Sequence, residues 1–229
     1  QRSIDMKPGS WKVIGVDLAR VVFLPASLFI FGAAFIFRFA YGVWISLVPI
    51  VVVQDLGFES TQYSTFISGV GFLAAIAGLA LGLMIDSKGV RFFYALVLGL
   101  YGLLCIFIGL TESSWASPRF LITIGIVHAF IYQGGFISFI ASCMKLCWQK
   151  VSATQFAIYM AGANIGLSLG AGTYAALENI LAANQIFLLL GLVFFVGALM
   201  AWLTDFEKHF DKVRLLDRSG EVGDFAPHG

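Results

Sequence analysis

The feature that most constrains this chain is a succession of six apolar stretches, which run over 22–54, 61–85, 91–111, 119–147, 152–180 and 185–204. About 20 residues at about 1.5 Å each cross the hydrocarbon of a bilayer. Inside hydrocarbon every backbone polar group must be satisfied within the chain, so stretches of this length are read as helices. The composition agrees, because 59% apolar against 12% charged residues leaves too little polar side chain to cover a water-soluble globule. The predicted fold is an all-α polytopic membrane protein with six transmembrane helices and the lipid bilayer as its first partner. The chain divides accordingly into an arm (1–21), a six-helix bundle (22–204) and a tail (205–229).

Short polar punctuations separate the stretches, among them Gln54-Asp55-Leu56-Gly57, Asp86-Ser87-Lys88-Gly89 and Trp148-Gln149-Lys150. Connections this short make successive helices antiparallel. The basic residues then sort by side. Twelve of the 14, including Arg2, Lys7, Lys88, Arg91, Lys145, Lys150 and Lys208, fall on the side of the two termini. Arg119 stands alone on the other side, and Arg38 lies within the first span. Because Lys and Arg in short loops stay on the cytoplasmic side, both termini are expected in the cytoplasm. A formal net charge of +1 without a basic run excludes a nucleic-acid partner. Cys105, Cys143 and Cys147 imply no disulfide framework, and no metal or cofactor is called for. After Asp205 the sequence turns charged, with Phe206, Phe210, Val213 and Leu216 as a weak apolar stripe; a short interfacial helix and a disordered end are expected.

Polar residues are costly against lipid and tolerated against a partner helix or an aqueous cavity. The third and sixth stretches carry almost none at mid-depth and read as lipid-facing. The first carries Arg38 and Tyr41, the second Ser64, Thr65 and Ser68, the fourth His128, Tyr132 and Gln133, and the fifth Gln155, Tyr159 and Asn164. These four are expected to surround something polar. Gly162, Gly166 and Gly170 in the fifth stretch, and Gly71, Ala75, Gly78 and Gly82 in the second, form small-residue stripes, read here as packing surfaces.

The turn after the second stretch reads Gly82-Leu83-Met84-Ile85-Asp86-Ser87-Lys88-Gly89-Val90-Arg91. Gly89 suits a tight helix-to-helix turn, Asp86 can accept from free helix N–H groups, and Arg91 can pair with Asp86. This turn resembles the signature loop of the major facilitator superfamily, with Gly82, Asp86, Gly89 and Arg91 at its positions and Ser87 where the family has a basic residue. Met144-Lys145-Leu146-Cys147 followed by Ser152-Ala153-Thr154-Gln155-Phe156-Ala157, and Phe37-Arg38-Phe39-Ala40-Tyr41-Gly42 upstream, resemble AmpG-type muropeptide permeases and the related acetyl-coenzyme A transporters. The resemblance implies the C-terminal six-helix half of a twelve-helix permease of a bacterial inner membrane, partnered by an N-terminal six-helix half. His128 stands where that group has an acidic residue.

Two functional classes follow. As a transporter, the chain would move a polar or anionic small-molecule solute by alternating access. Arg38, whose side chain keeps its charge, would bind a carboxylate or phosphate of the solute or hold an ion pair with the other half. Tyr41, Gln133, Tyr159 and Asn164 are the further solute-binding candidates, Gly82, Asp86, Gly89 and Arg91 a gating loop, and His128 either a proton-coupling group or an interhelical hydrogen-bond donor. An enzyme is not expected, since no carboxylate lies at mid-depth to build an intramembrane hydrolase. A non-transporting receptor or assembly subunit is the second class.

Overall fold

The computed structural model describes residues 11–224, with side chains from 14 to 218. Arg2, Lys7 and the expected disordered end at 225–229 lie outside the described residues. Eight α-helices follow in order: α1 Trp11–Val22, α2 Pro25–Pro49, α3 Ser60–Lys88, α4 Val90–Leu110, α5 Pro118–Leu146, α6 Ser152–Leu177, α7 Ala183–Leu203 and α8 Phe206–Asp224. No strand occurs among the described residues.

Helices α2 to α7 correspond to the six apolar stretches. Five of them are long and apolar enough to cross a membrane. The exception, α6, has 26 residues and sufficient length, but Gly, Ala and hydroxyl side chains dilute its hydropathy. Its small residues instead serve contact with α2. A Cβ at Gly162 would strike the Phe31 ring, one at Gly166 the Phe35 carbonyl, and one at Gly170 the Phe39 carbonyl, so the two backbones touch at Gly166 and Gly170 and a ring packs at Gly162. The stripe expected on the second stretch is used only in part. Gly78 meets Gln133, while Ala75 is exposed and Gly71 and Gly82 face open space.

The first stretch is not one uniform helix. It begins only at Pro25, after a break closed by the Ser27 hydroxyl donating to the Val21 carbonyl at 2.8 Å. It ends in a π-helical turn over Ile50–Asp55, where the Leu56 N–H reaches back five residues to Val51 at 3.0 Å. Pro49, which lacks an N–H, sits directly before that turn, and π turns of this kind concentrate at functional sites.

The third and sixth stretches are only half lipid-facing. Along α4, Tyr94, Leu98, Tyr101 and Cys105 are fully buried, and Tyr101 stacks on Phe194 of α7 at 4.1 Å. Gly102 of α4 and Gly191 of α7 bring the two backbones together. Phe92, Leu96, Leu103 and Phe107 cover the outer side of α4. These two helices therefore form the back of the bundle, while α3 and α5 remain its most open members.

The arm and tail form a second, smaller core at one end. Val21, Trp148 and Val151 are buried among Ile14 and Leu18 of α1 and Val213 and Leu216 of α8. The Trp148 indole donates to Asp217 at 2.8 Å. Of the expected stripe, Phe206, Val213 and Leu216 face inward together with His209, and only Phe210 is exposed, so α8 docks on the α5–α6 connection. The last carbonyl of α5, at Leu146, accepts from Gln155 Nε2 at 3.0 Å and lies 2.9 Å from His209 Nε2. Those bonds satisfy a helix end that would otherwise be orphaned. Gln155 also accepts the Trp148 N–H at 2.8 Å, which gives the 144–157 motif a structural task.

Candidate functional site

Arg38 stands in the middle of α2, half-buried, on the side turned toward α5 and α6. Its Nη1 donates to the Tyr132 hydroxyl at 3.1 Å, and its Nη2 to Asn164 Oδ1 at 3.4 Å. Its guanidinium lies 5.8 Å from the centroid of the Tyr41 ring, within cation–π range. No carboxylate pairs with it among the described residues, whose ion pairs all lie in α1 and near α8. A guanidinium carries five N–H donors, so two neutral acceptors leave donor capacity for an anion.

The rest of the site is aromatic. Tyr41 stacks on Tyr132 with ring centroids 4.0 Å apart. His128, one turn before Tyr132 on α5, lies flat on Trp44 at 4.3 Å and meets Tyr101 edge-on at 5.5 Å. Its Nε2 is buried and has no hydrogen-bond partner. Beyond Tyr41 and His128 a cavity of about 510 Å³ opens between α2, α3 and α5, toward the 56–59 and 111–117 connections. Trp44 and Val48 of α2, Tyr63 and Phe66 of α3 and Ile122 of α5 line it.

Of the residues expected at a solute site, the structure brings together Arg38, Tyr41 and Asn164, with His128 behind them. Gln133 is turned to α3, where its side chain packs against Gly78. Tyr159 is fully buried one turn from Gln155, takes a hydrogen bond from its Nε2 at 2.9 Å, and lies apart from the Arg38 cluster. Tyr132 and Trp44 join the site instead. Their signal was spacing: Tyr132 falls four residues after His128, and Trp44 three after Tyr41, on shared helix faces.

The α3–α4 turn corrects one expected contact. Gly89 has φ of +89° and its N–H closes α3 on the Ile85 carbonyl at 2.9 Å. Arg91 does not pair with Asp86. Its Nε donates to the Trp202 carbonyl at 2.7 Å and its guanidinium lies 5.2 Å from the Trp202 ring centroid. The reason is geometric. Arg91 leaves the turn past Gly89 and reaches the C-terminal end of α7, where free carbonyls and the negative end of the helix dipole attract a cation. Asp205 follows that end, its carboxyl held below the usual range by the Lys208 backbone N–H and ammonium, with Arg91 adding to the effect.

Long apolar helices enclosing an unpaired, half-buried guanidinium and an adjoining cavity define an integral, multi-pass membrane protein with an internal polar site. The family model described as Major Facilitator Superfamily matches residues 30–227, and the chain belongs to that superfamily of membrane transporters. No curated protein and no solved structure matches the chain.

Proposed function

We propose that the chain is one six-helix half of a secondary active transporter that moves an anionic solute by alternating access, with Arg38 as the anion-binding residue. The observation that carries this reading is the state of Arg38: a mid-helix guanidinium that meets a phenol, an amide and the Tyr41 ring, with no carboxylate to neutralise it among the described residues. Such a charge is expensive in a membrane unless a ligand or a second bundle supplies the counter-charge. Tyr132 and Asn164 hold the guanidinium in place, and Tyr41 covers it. His128, held in an aromatic stack with Nε2 unpartnered, is the candidate for proton coupling as a symporter. A muropeptide-like compound or another small anionic metabolite is the solute class, following the AmpG-type motifs. The open faces of α3 and α5 fit a second bundle completing the path, in the same longer chain or as a separate subunit.

The test compares Arg38→Lys and Arg38→Gln for solute affinity and for yield of folded protein. Arg38→Lys keeps the charge but loses planar two-point recognition and weakens binding; Arg38→Gln nearly abolishes transport of an anion. If Arg38 holds two halves together instead, both variants lower the folded yield while affinity in the survivors is unchanged. Unchanged affinity in well-folded Arg38→Gln removes Arg38 from the site.

A further inference from the structure

The cavity beside Arg38 has a composition that the anion reading alone does not explain. Its volume, about 510 Å³, corresponds to about 17 waters at about 30 Å³ each. Yet its walls are chiefly hydrocarbon and ring faces: Trp44 and Val48 from α2, Tyr63, Phe66 and Ile67 from α3, and Ile122 from α5. A path built for a fully hydrated sugar or peptide needs donors and acceptors around its circumference, because each polar group taken from water without a partner is costly. Polar groups stand at both ends, Gln62 in the first turn of α3 and Tyr41 with His128 toward Arg38. Tyr41 and His128 line the cavity and also belong to the Arg38 cluster, so the apolar chamber adjoins the cationic site across the Tyr41 ring.

We propose that the solute is an amphipathic organic anion: its carboxylate or phosphate sits on Arg38, and its aliphatic or aromatic body fills the chamber between α2, α3 and α5. This rests on the reading of Arg38 as the anion site. A lipid tail entering between α3 and α5 is the occupant to be distinguished, since both helices expose apolar side chains, Phe72 and Leu73 on α3 and Ile126 and Phe130 on α5 among them. The lipid reading leaves the adjacency of charge and chamber as coincidence; the amphipathic anion uses both.

The experiment measures binding of acetate, butanoate, hexanoate, octanoate and neutral octan-1-ol to the purified protein in lipid nanodiscs, with partition into empty discs subtracted. Affinity for the carboxylates should rise by up to about fourfold per methylene buried, and Arg38→Gln should weaken all of them at least tenfold. Ile122→Trp fills the chamber from a half-exposed wall position and should collapse the octanoate-to-acetate affinity ratio toward one. Ile67→Trp does the same from α3 should the first variant fail to fold. A flat chain-length series, with Arg38→Gln still weakening every carboxylate, overturns the amphipathic solute and leaves the anion site standing. Octan-1-ol binding as tightly as octanoate and indifferent to Arg38→Gln makes the chamber a lipid groove and also overturns it. Carboxylate binding untouched by Arg38→Gln brings down the anion site itself.

Discussion

Replacing Gly166 by Ala tests whether the α2–α6 contact sets the geometry of the site. A Cβ there would stand 2.7 Å from the Phe35 carbonyl oxygen and 3.3 Å from a carbon of its ring. Carbon-to-oxygen contacts in helix interfaces settle at about 3.3–3.6 Å, so α6 must retreat by roughly 0.6 Å or more. The obstacle is backbone rather than a rotatable side chain, which places the cost in the overpacking range of about 1–3 kcal/mol. Gly172→Ala supplies the control, because nothing lies within 4 Å of its Cβ. Both variants gain the same helix propensity over Gly, so their difference isolates the clash. Asn164 lies half a turn from Gly166, and its 3.4 Å contact with Arg38 is already at the limit of a hydrogen bond. The same retreat should break it. Reversible unfolding in mixed detergent and SDS should show Gly166→Ala less stable than Gly172→Ala by about 1–3 kcal/mol, with weaker anion binding in the first only. Equal stability within about 0.5 kcal/mol, inside the usual scatter of surface substitutions, would refute the claim that this contact is backbone-limited.

For topology, a cysteine at Ser114 should react with an impermeant thiol reagent from outside and one at Ser87 should not; the reverse pattern would invert the bundle. Residues 1–229 reconstituted without a second bundle should show no uptake, and transport by the chain alone as a monomer would contradict the half-transporter reading. The docking of α8 should weaken on acidification. Burial holds the His209 imidazole below its ordinary range, partly offset by the bond to the Leu146 carbonyl, with Lys212 lowering it further. Lys145 lies close by, over the Phe206 ring at 5.1 Å, and Asp205 one turn back receives Lys208. With the folded value depressed, the undocked form binds more protons below about pH 6.5, so stability is complete above that value and falls beneath it. Protection factors of α8 amides, exchange rates corrected for the intrinsic rate at each pH, should fall between pH 7.5 and 5.5 in the native protein and change little in His209→Gln, whose amide can still reach the carbonyl. An unaltered pH dependence in that variant assigns the effect elsewhere.

Much of the fold was legible because membrane spans obey a one-dimensional rule, length and apolarity, that needs no knowledge of neighbours. All six long helices fall where the apolar stretches put them, and the packing role of the Gly162–Gly166–Gly170 stripe follows from small-residue spacing alone. The helical arm over Trp11–Val22 was not anticipated, since its partners, Trp148 and Leu216, lie far along the chain. Arg38 announced itself by cost, being the charge that mid-span hydrocarbon penalises most. Its companions did not all follow. Asn164 and Tyr159 look equivalent in a polarity census, five residues apart on one helix. Packing turns one to the guanidinium and locks the other under Gln155.

The chamber beside Arg38 was beyond any sequence pattern, because its walls come from one face each of three helices whose apolar residues look identical to those that meet lipid. Arg91 makes the same point at the bundle's end. Its sequence neighbour Asp86 is the obvious partner, yet the carbonyl of Trp202, more than a hundred residues away, takes the bond. The sequence by itself determined which segments cross hydrocarbon and which side chain is too costly to face it, since both depend on the transfer of single residues from water. Only the tertiary structure decided what meets that side chain and what space lies beside it, since those depend on helix rotation and approach, fixed by contacts between segments far apart along the chain.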